Sequence, residues 1–159
     1  MPPEAAEPFR RPEVAAYSAL LVDSFRRLTG RDLVPGLVGP ALAEALFRLP
    51  DPIVAHGTEA DPVFCYANAT ALALWELDWA RFTRLPSRHS AEADPAIQGD
   101  RSRLLAAALE KGWIDDYEGI RISATGQRFR IARTVLWNVV DRDGVRHGQA
   151  ALIGSWHML

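Results

Sequence analysis

The sequence holds one cysteine, Cys65, one lysine, Lys111, and two methionines. A lone thiol forms no internal disulfide and no cysteine-rich zinc site, which fits a reducing compartment. Long apolar runs are missing as well. The longest charge-free apolar stretch, Phe64 to Trp75, falls short of the roughly 20 residues a membrane helix needs. The opening segment has no apolar stretch of the signal-peptide kind, so a cytoplasmic protein without a membrane partner is expected. Nor is there an excess of one charge. The 18 basic and 20 acidic residues leave a net charge of -2, and the arginine pairs are dispersed among acids. Nucleic-acid binding draws on a clustered basic surface, so that class of partner is set aside. The four histidines, His56, His89, His147 and His157, have no paired spacing, and no metal site is expected.

What is present is the material of one soluble domain. The chain has 159 residues, 48% of them hydrophobic and 24% charged, enough for a core without disulfide or metal support. Arginine in place of lysine and abundant alanine read as the coding bias of a GC-rich bacterial genome. Residues 1–12 carry four of the eleven prolines and form an expected flexible leader. An N-terminal helical extension is expected over 13–50. Its first helix places Val14, Tyr17, Leu21, Phe25 and Leu28 at steps of three and four and stops at Gly30. A second helix follows Gly39-Pro40 with Leu42, Leu46 and Leu49 inward.

The core is expected over 51–159. Short strands are read at Ile53–His56 and Val63–Tyr66, and helices start at Asn68 and at Asp78. A loop covers 85–95, and a longer helix spans Pro95 to Gly112 with Leu104, Leu105, Ala108 and Leu109 inward. Three strands close the chain over Ile114–Ser123, Arg128–Val140 and Val145–Trp156. The last two are joined by the Asp141-Arg142-Asp143-Gly144 turn, where Asp-Gly supplies positive φ. Helices segregated between a strand pair and a meander predict an α+β fold with a five-stranded antiparallel sheet and helices on one face. The other face is left to the N-terminal helix or to a second copy of the chain.

The run Tyr66-Ala67-Asn68-Ala69-Thr70-Ala71-Leu72-Ala73-Leu74-Trp75, with the two late turns, resembles the PAS fold. Asp61 to Asn68, Asp78 with Trp79, Leu85 to Glu92, and the tail from Val135 to Asp141 ending at Ser155-Trp156 are similar to the stand-alone bacterial branch of the MEKHLA domain family. The resemblance spans about Leu20 to Trp156. It implies a PAS-like sensory or regulatory module and assigns no catalytic residue and no cofactor. Flavin-adduct PAS domains resemble one another in an Asn-Cys-Arg-Phe-Leu-Gln helix that Cys65 lacks, so Cys65 is expected to be a buried small hydrophobe. Haem-binding PAS domains usually present a histidine from the long helix, and Pro95 to Gly112 contains none.

The leading expectation is a small organic ligand held between sheet and helices, with a signal passed to a protein partner. The expected ligand residues are Tyr66, Asn68, Trp79, Ser87, Arg88 and Trp137. Arg88 is a rigid five-donor fork suited to a carboxylate or phosphate, and Tyr66 and Trp137 carry polar tips on large rings. Each has a plainer reading. Asn68 caps a helix, Ser87 and Ser90 cap turns, Arg88 and Glu92 form ion pairs, and the aromatics fill the core. The apolar stripe of the first helix packs on its own sheet or builds a homodimer. Two other functions stand beside the sensor: an interaction or dimerisation module with a filled core, and a small enzyme using Arg88, His89 or Glu92 in the same hollow.

Overall fold

The computed structural model describes residues 7–159, and residues 1–6 of the expected leader lie outside the described residues. From Glu7 the chain is already placed. A 3-10 turn, Pro8–Arg10, buries Phe9 against Phe47 with ring centroids 5.3 Å apart. Helix α1, Pro12–Thr29, begins with proline in its first turn and ends at Gly30, which takes a left-handed φ of 77°. Val14, Ser18, Leu21, Val22 and Phe25 form its buried stripe. Ser24 anchors it to the sheet: its Oγ donates to the Asn138 carbonyl at 2.8 Å and accepts from the Val140 N–H at 3.0 Å. Helix α2, Gly39–Phe47, buries Leu42, Ala43, Leu46 and Phe47.

The sheet comprises β1 (Ile53–His56), β2 (Phe64–Ala67), β3 (Trp113–Ile122), β4 (Arg128–Val140), β5 (Arg146–Leu152) and β6 (Ser155–Met158). All pairings are antiparallel, in the order β2-β1-β5-β4-β3, and β6 pairs the first half of β4. Between β2 and β3 lie α3 (Ala69–Trp75), α4 (Trp79–Phe82), a 3-10 turn at Ser87–Ser90, and α5 (Pro95–Lys111). Asn68, Asp78 and Asp94 cap the three helices by accepting backbone N–H groups of the first turn.

Both faces of the sheet are covered. Ile53, Ala55, Tyr66, Val135, Trp137, Val139 and Leu152 pack under α1 and α2 in one core. Val54, Phe64, Phe129, Ile131, Leu136 and Ile153 pack with α3–α5 in the other. The apolar stripe of α1 therefore closes on its own sheet. All four residues of β1 are buried, as expected of a strand with no solvent-facing side.

Three local features depart from the sequence pattern, two of them for backbone reasons. The last strand, expected as one piece, breaks at Ile153 and Gly154. There β4 bends at Arg133, whose φ is 50°, and a Cβ on Gly154 would sit 2.4 Å from the Arg133 carbonyl oxygen. The bend re-phases β4, so Phe129 and Ile131 share a face with Leu136. Cys65 is the extra residue where the β1–β2 register slips between Ala55 and His56, and it is exposed, not buried. On α5 the inward set is narrower than its periodicity predicts. Ala108 alone is fully buried and Leu109 is exposed. Polar bonds hold the end of this helix instead: Asn138 Nδ2 donates to the Leu109 carbonyl at 3.2 Å and Gln149 Nε2 to the Leu105 carbonyl at 3.0 Å.

Gly148 marks the tightest point of the sheet, where β5 passes β1. Its φ is 153°, and a Cβ would fall 1.9 Å from the His56 carbonyl oxygen. Gly144 also has a positive φ, 84°, but a Cβ there meets nothing within 4 Å. Gly148→Ala should cost about 3 kcal/mol or more, since a backbone atom must move. Gly144→Ala should cost only about 1 kcal/mol. Urea unfolding midpoints of the two variants check the difference, and equal losses would contradict the close approach.

Candidate functional site

A cavity of about 50 Å³ lies between the α5 side of the sheet and α5 itself. Since a water needs roughly 10–15 Å³ of such space, it has room for a few waters or a short organic group. Its apolar lining includes Val54, Phe64, Leu105, Leu136 and Ile153. Its polar lining includes His56, Ser87, Arg101, Tyr117, Arg121 and Thr134.

Each polar residue is delivered by regular structure. His56 ends β1 and is 8% exposed. Tyr117 and Arg121 lie four residues apart on β3, so strand alternation turns both to the same face. Thr134 follows the bend in β4. Arg101 projects from the second turn of α5, and Ser87 opens the 3-10 turn before that helix.

Arg121 is 6% exposed. Its Nη1 donates to the Ile120 carbonyl at 2.7 Å, its Nη2 donates to the Tyr117 hydroxyl, and its guanidinium lies 5.4 Å from the Tyr117 ring centroid. Arg101 Nη2 donates to Ser87 Oγ at 2.6 Å. Among the described residues neither guanidinium has a carboxylate partner. Burial, and then the nearby charge of Arg121, push the Arg101 pKa below the usual arginine value. Both side chains stay charged, as arginine does in proteins.

His56 Nδ1 lies 2.9 Å from the Gly57 carbonyl, an acceptor, which assigns the ring proton to Nδ1. Its Nε2 is buried without a hydrogen-bond partner. Burial pulls the imidazole pKa below 6.5. The Gly57 carbonyl opposes that shift, Arg101 from α5 and Arg146 from β5 add to it, and Glu59 opposes it weakly.

Beyond the cavity, between the first half of α5 and β3, runs an open groove of about 360 Å³ bordered by Ile97, Asp100 and Glu118. Arg101, Tyr117 and Arg121 line both spaces. They stand between the cavity and the groove.

Of the six residues expected from sequence to hold a ligand, Ser87 faces the cavity. Tyr66, Trp79 and Trp137 belong to the core under α1 and α2, on the opposite sheet face. Tyr66 meets Trp79 edge-on at 5.7 Å, and Trp137 meets Phe25 edge-on at 4.8 Å with its indole N–H lacking an acceptor. Asn68 is fully buried with both ends of its amide engaged. Oδ1 accepts from Ile53 N at 3.0 Å and Ala71 N at 3.1 Å, while Nδ2 donates to the Asp51 carbonyl at 2.9 Å. Arg88 stands at the surface, pairing with Asp61 at 3.1 Å and contacting His89 Nε2 at 2.9 Å. Glu92 pairs with Arg128.

Sequence reasoning missed Arg101, Tyr117, Arg121 and Thr134. Two signals were there to be used. Arg101 occupies the i+4 position between Ile97 and Leu105 in the apolar stripe of α5, and Arg121 shares the inward parity of Tyr117 on β3. A charged residue inside an apolar stripe marks a position that packing alone does not explain.

Among the described residues no group of three metal-ligating side chains occurs, and no helix is long and apolar enough to cross a membrane. The MEKHLA domain model matches residues 15–158. No curated protein matches the sequence. Among solved structures, a PAS domain from Colwellia psychrerythraea is 14% identical, with a TM-score of 0.59, covering 74% of this chain and 92% of that one. The light-state dimer of the fungal blue-light photoreceptor Vivid is 12% identical, with a TM-score of 0.58, covering 84% and 90%. The PAS domain, in complex with ethanol, of a LuxR-family transcriptional regulator from Burkholderia thailandensis is 16% identical, with a TM-score of 0.55, covering 73% and 95%. These likenesses establish the fold as PAS-like.

The buried neutral imidazole gives a pH prediction. A His56 pKa lowered in the folded state means that the unfolded chain binds more protons below pH 6.5. Its contribution to stability is therefore complete above about pH 6.5 and falls as pH drops from there toward the lowered value, by at most about 1.4 kcal/mol per pH unit. His56→Gln should flatten that part of the curve, measured by urea unfolding between pH 5 and 7.5. An unchanged slope would place the proton dependence elsewhere.

Proposed function

The chain belongs to the MEKHLA domain family, and from that premise we propose that it is a sensory or regulatory module with a small organic ligand in the cavity beneath α5. The observation that carries this reading is a cavity lined by His56, Arg101 and Arg121 on the side of the sheet that α5 closes. A core filled for packing alone leaves no such space and sets no charged groups around it, because burying a charge without an ion-pair partner is costly. That favours a ligand site over an interaction module with a solid core. The scale is consistent too: the Burkholderia thailandensis PAS domain is described in complex with ethanol, a molecule suited to a space of a few atoms.

In this reading Ser87 contacts the ligand directly. Tyr66, Asn68, Trp79 and Trp137 support the sheet from its other face, and Arg88 with Asp61 braces the loop in front of α5. The signal leaves through α5, the wall with the least apolar anchorage, to a second copy of the chain or to another protein. The light-state dimer of Vivid is a relative in which two PAS-like chains associate. A cytoplasmic setting accords with the single, unpaired cysteine.

Native against denatured mass spectrometry on the purified chain tests the reading and reports the number of chains per particle. The expected result is extra mass in the native state that is lost on denaturation. Ala151→Leu, which adds three carbons inside the cavity, should abolish the extra mass while circular dichroism stays unchanged. A bare native chain that no small molecule stabilises would overturn the proposal in favour of a pure interaction module.

A further inference from the structure

We infer that the ligand is a short-chain carboxylate whose head group lies between Arg101 and Arg121. This rests on the reading of the cavity as a ligand site. The two guanidiniums come from opposite walls, α5 and β3, and line the same cavity and the same mouth. Each is a fork of five N–H donors. Arg121 commits one donor to the Ile120 carbonyl and one to Tyr117, and Arg101 commits one to Ser87. Among the described residues the remaining donors have no acceptor, and both side chains line the cavity and its mouth.

The carboxylates that could neutralise this pair are engaged elsewhere or turned outward. Asp61 holds Arg88, Asp100 holds Arg103 and Glu92 holds Arg128. Glu59 accepts from the Val63 N–H, and Glu118 is exposed on the outer groove. Two like charges beside one cavity repel each other, and an oxyanion between them offsets that repulsion and accepts from their free N–H groups. The apolar lining then decides which oxyanion. Val54, Leu136 and Ile153 offer nothing to inorganic phosphate, whereas the tail of a short acid buries against them. The cavity volume limits that tail to a few carbons.

Isothermal titration calorimetry on the full chain, with sodium acetate, propionate and butyrate at constant ionic strength, tests the assignment. Propionamide, butyramide and inorganic phosphate serve as controls. Saturable binding is expected for propionate or butyrate, roughly tenfold or more tighter than for the matched amide or for phosphate. Arg101→Gln and Arg121→Gln should each weaken it by roughly tenfold or more, and the surface change Arg88→Gln should leave it unchanged. If Arg121→Gln fails to fold, Arg101→Gln on the half-exposed partner carries the test, and Arg121→Lys separates loss of charge from loss of the fork.

Amide binding equal to that of the acid overturns the anion assignment and leaves the ligand cavity standing. Phosphate equal to or tighter than the acids overturns the carboxylate class. Binding that survives both arginine changes overturns the site. Absence of saturable binding for every acid up to roughly 10 mM overturns the inference as well, while a co-purified mass in the native spectrum would still support the cavity.

Discussion

Everything in this molecule rests on a sheet that must bury both of its faces. In β1 the side chains alternate between two separate cores, Ile53 and Ala55 under α1 and α2, Val54 under α3–α5. The N-terminal layer is dense with rings, Phe9 on Phe47 and Phe25 on Trp137, and Ser24 fixes it to the end of β4 by two hydrogen bonds. On the other face a second aromatic set, Phe64, Trp75, Phe82 and Phe129, fills only part of the available area. The cavity begins where that ring packing stops. One side of the sheet is thus densely packed with rings, and the cavity lies on the side that α5 closes.

A buried arginine, Arg121, beside a partly buried one, Arg101, works against stability, because among the described residues neither has an ion-pair partner to compensate for charge taken from water. Tyr117 and Ser87 offset part of that cost through hydrogen bonds and ring contact. What remains is a locally unfavourable arrangement held in place by the rest of the fold. Sites for ligands characteristically hold such residual mismatch, since a surface already satisfied by the protein has nothing to offer a second molecule.

The architecture was legible in the sequence because its signals are local and additive. The spacing of Val14, Leu21 and Phe25, the caps at Asn68 and Asp78 and the Asp-Gly turn at 143–144 each act within a few residues. The register slip that exposes Cys65 and the bend at Arg133 that divides the last strand were not legible. The first depends on how β1 and β2 pair, and the second lies where Gly154 crosses close over the Arg133 carbonyl, and neither has a local signal. The site was harder still. Tyr66 and Trp137 attract notice as large rings with polar tips, but only the assembled sheet decides which face they take. Arg101 and Arg121 look like two of many surface arginines until β3 and α5 are placed against each other.

The outer strands carry a consequence for how copies of this chain can meet. β2 spans four residues, and its free side is already occupied where the Phe64 N–H bonds to the Leu85 carbonyl and Val63 bridges Pro86. β3 is long, but its edge is interrupted at Asp116, which has a φ of 61° and lies between the exposed acids Asp115 and Glu118. Short, bulged and charged borders of this kind discourage the growth of a sheet from one molecule into the next. At these two borders a backbone ladder shared between copies is disfavoured, which leaves β6, paired on one side only and exposed at Trp156 and Met158, as the open edge of the sheet.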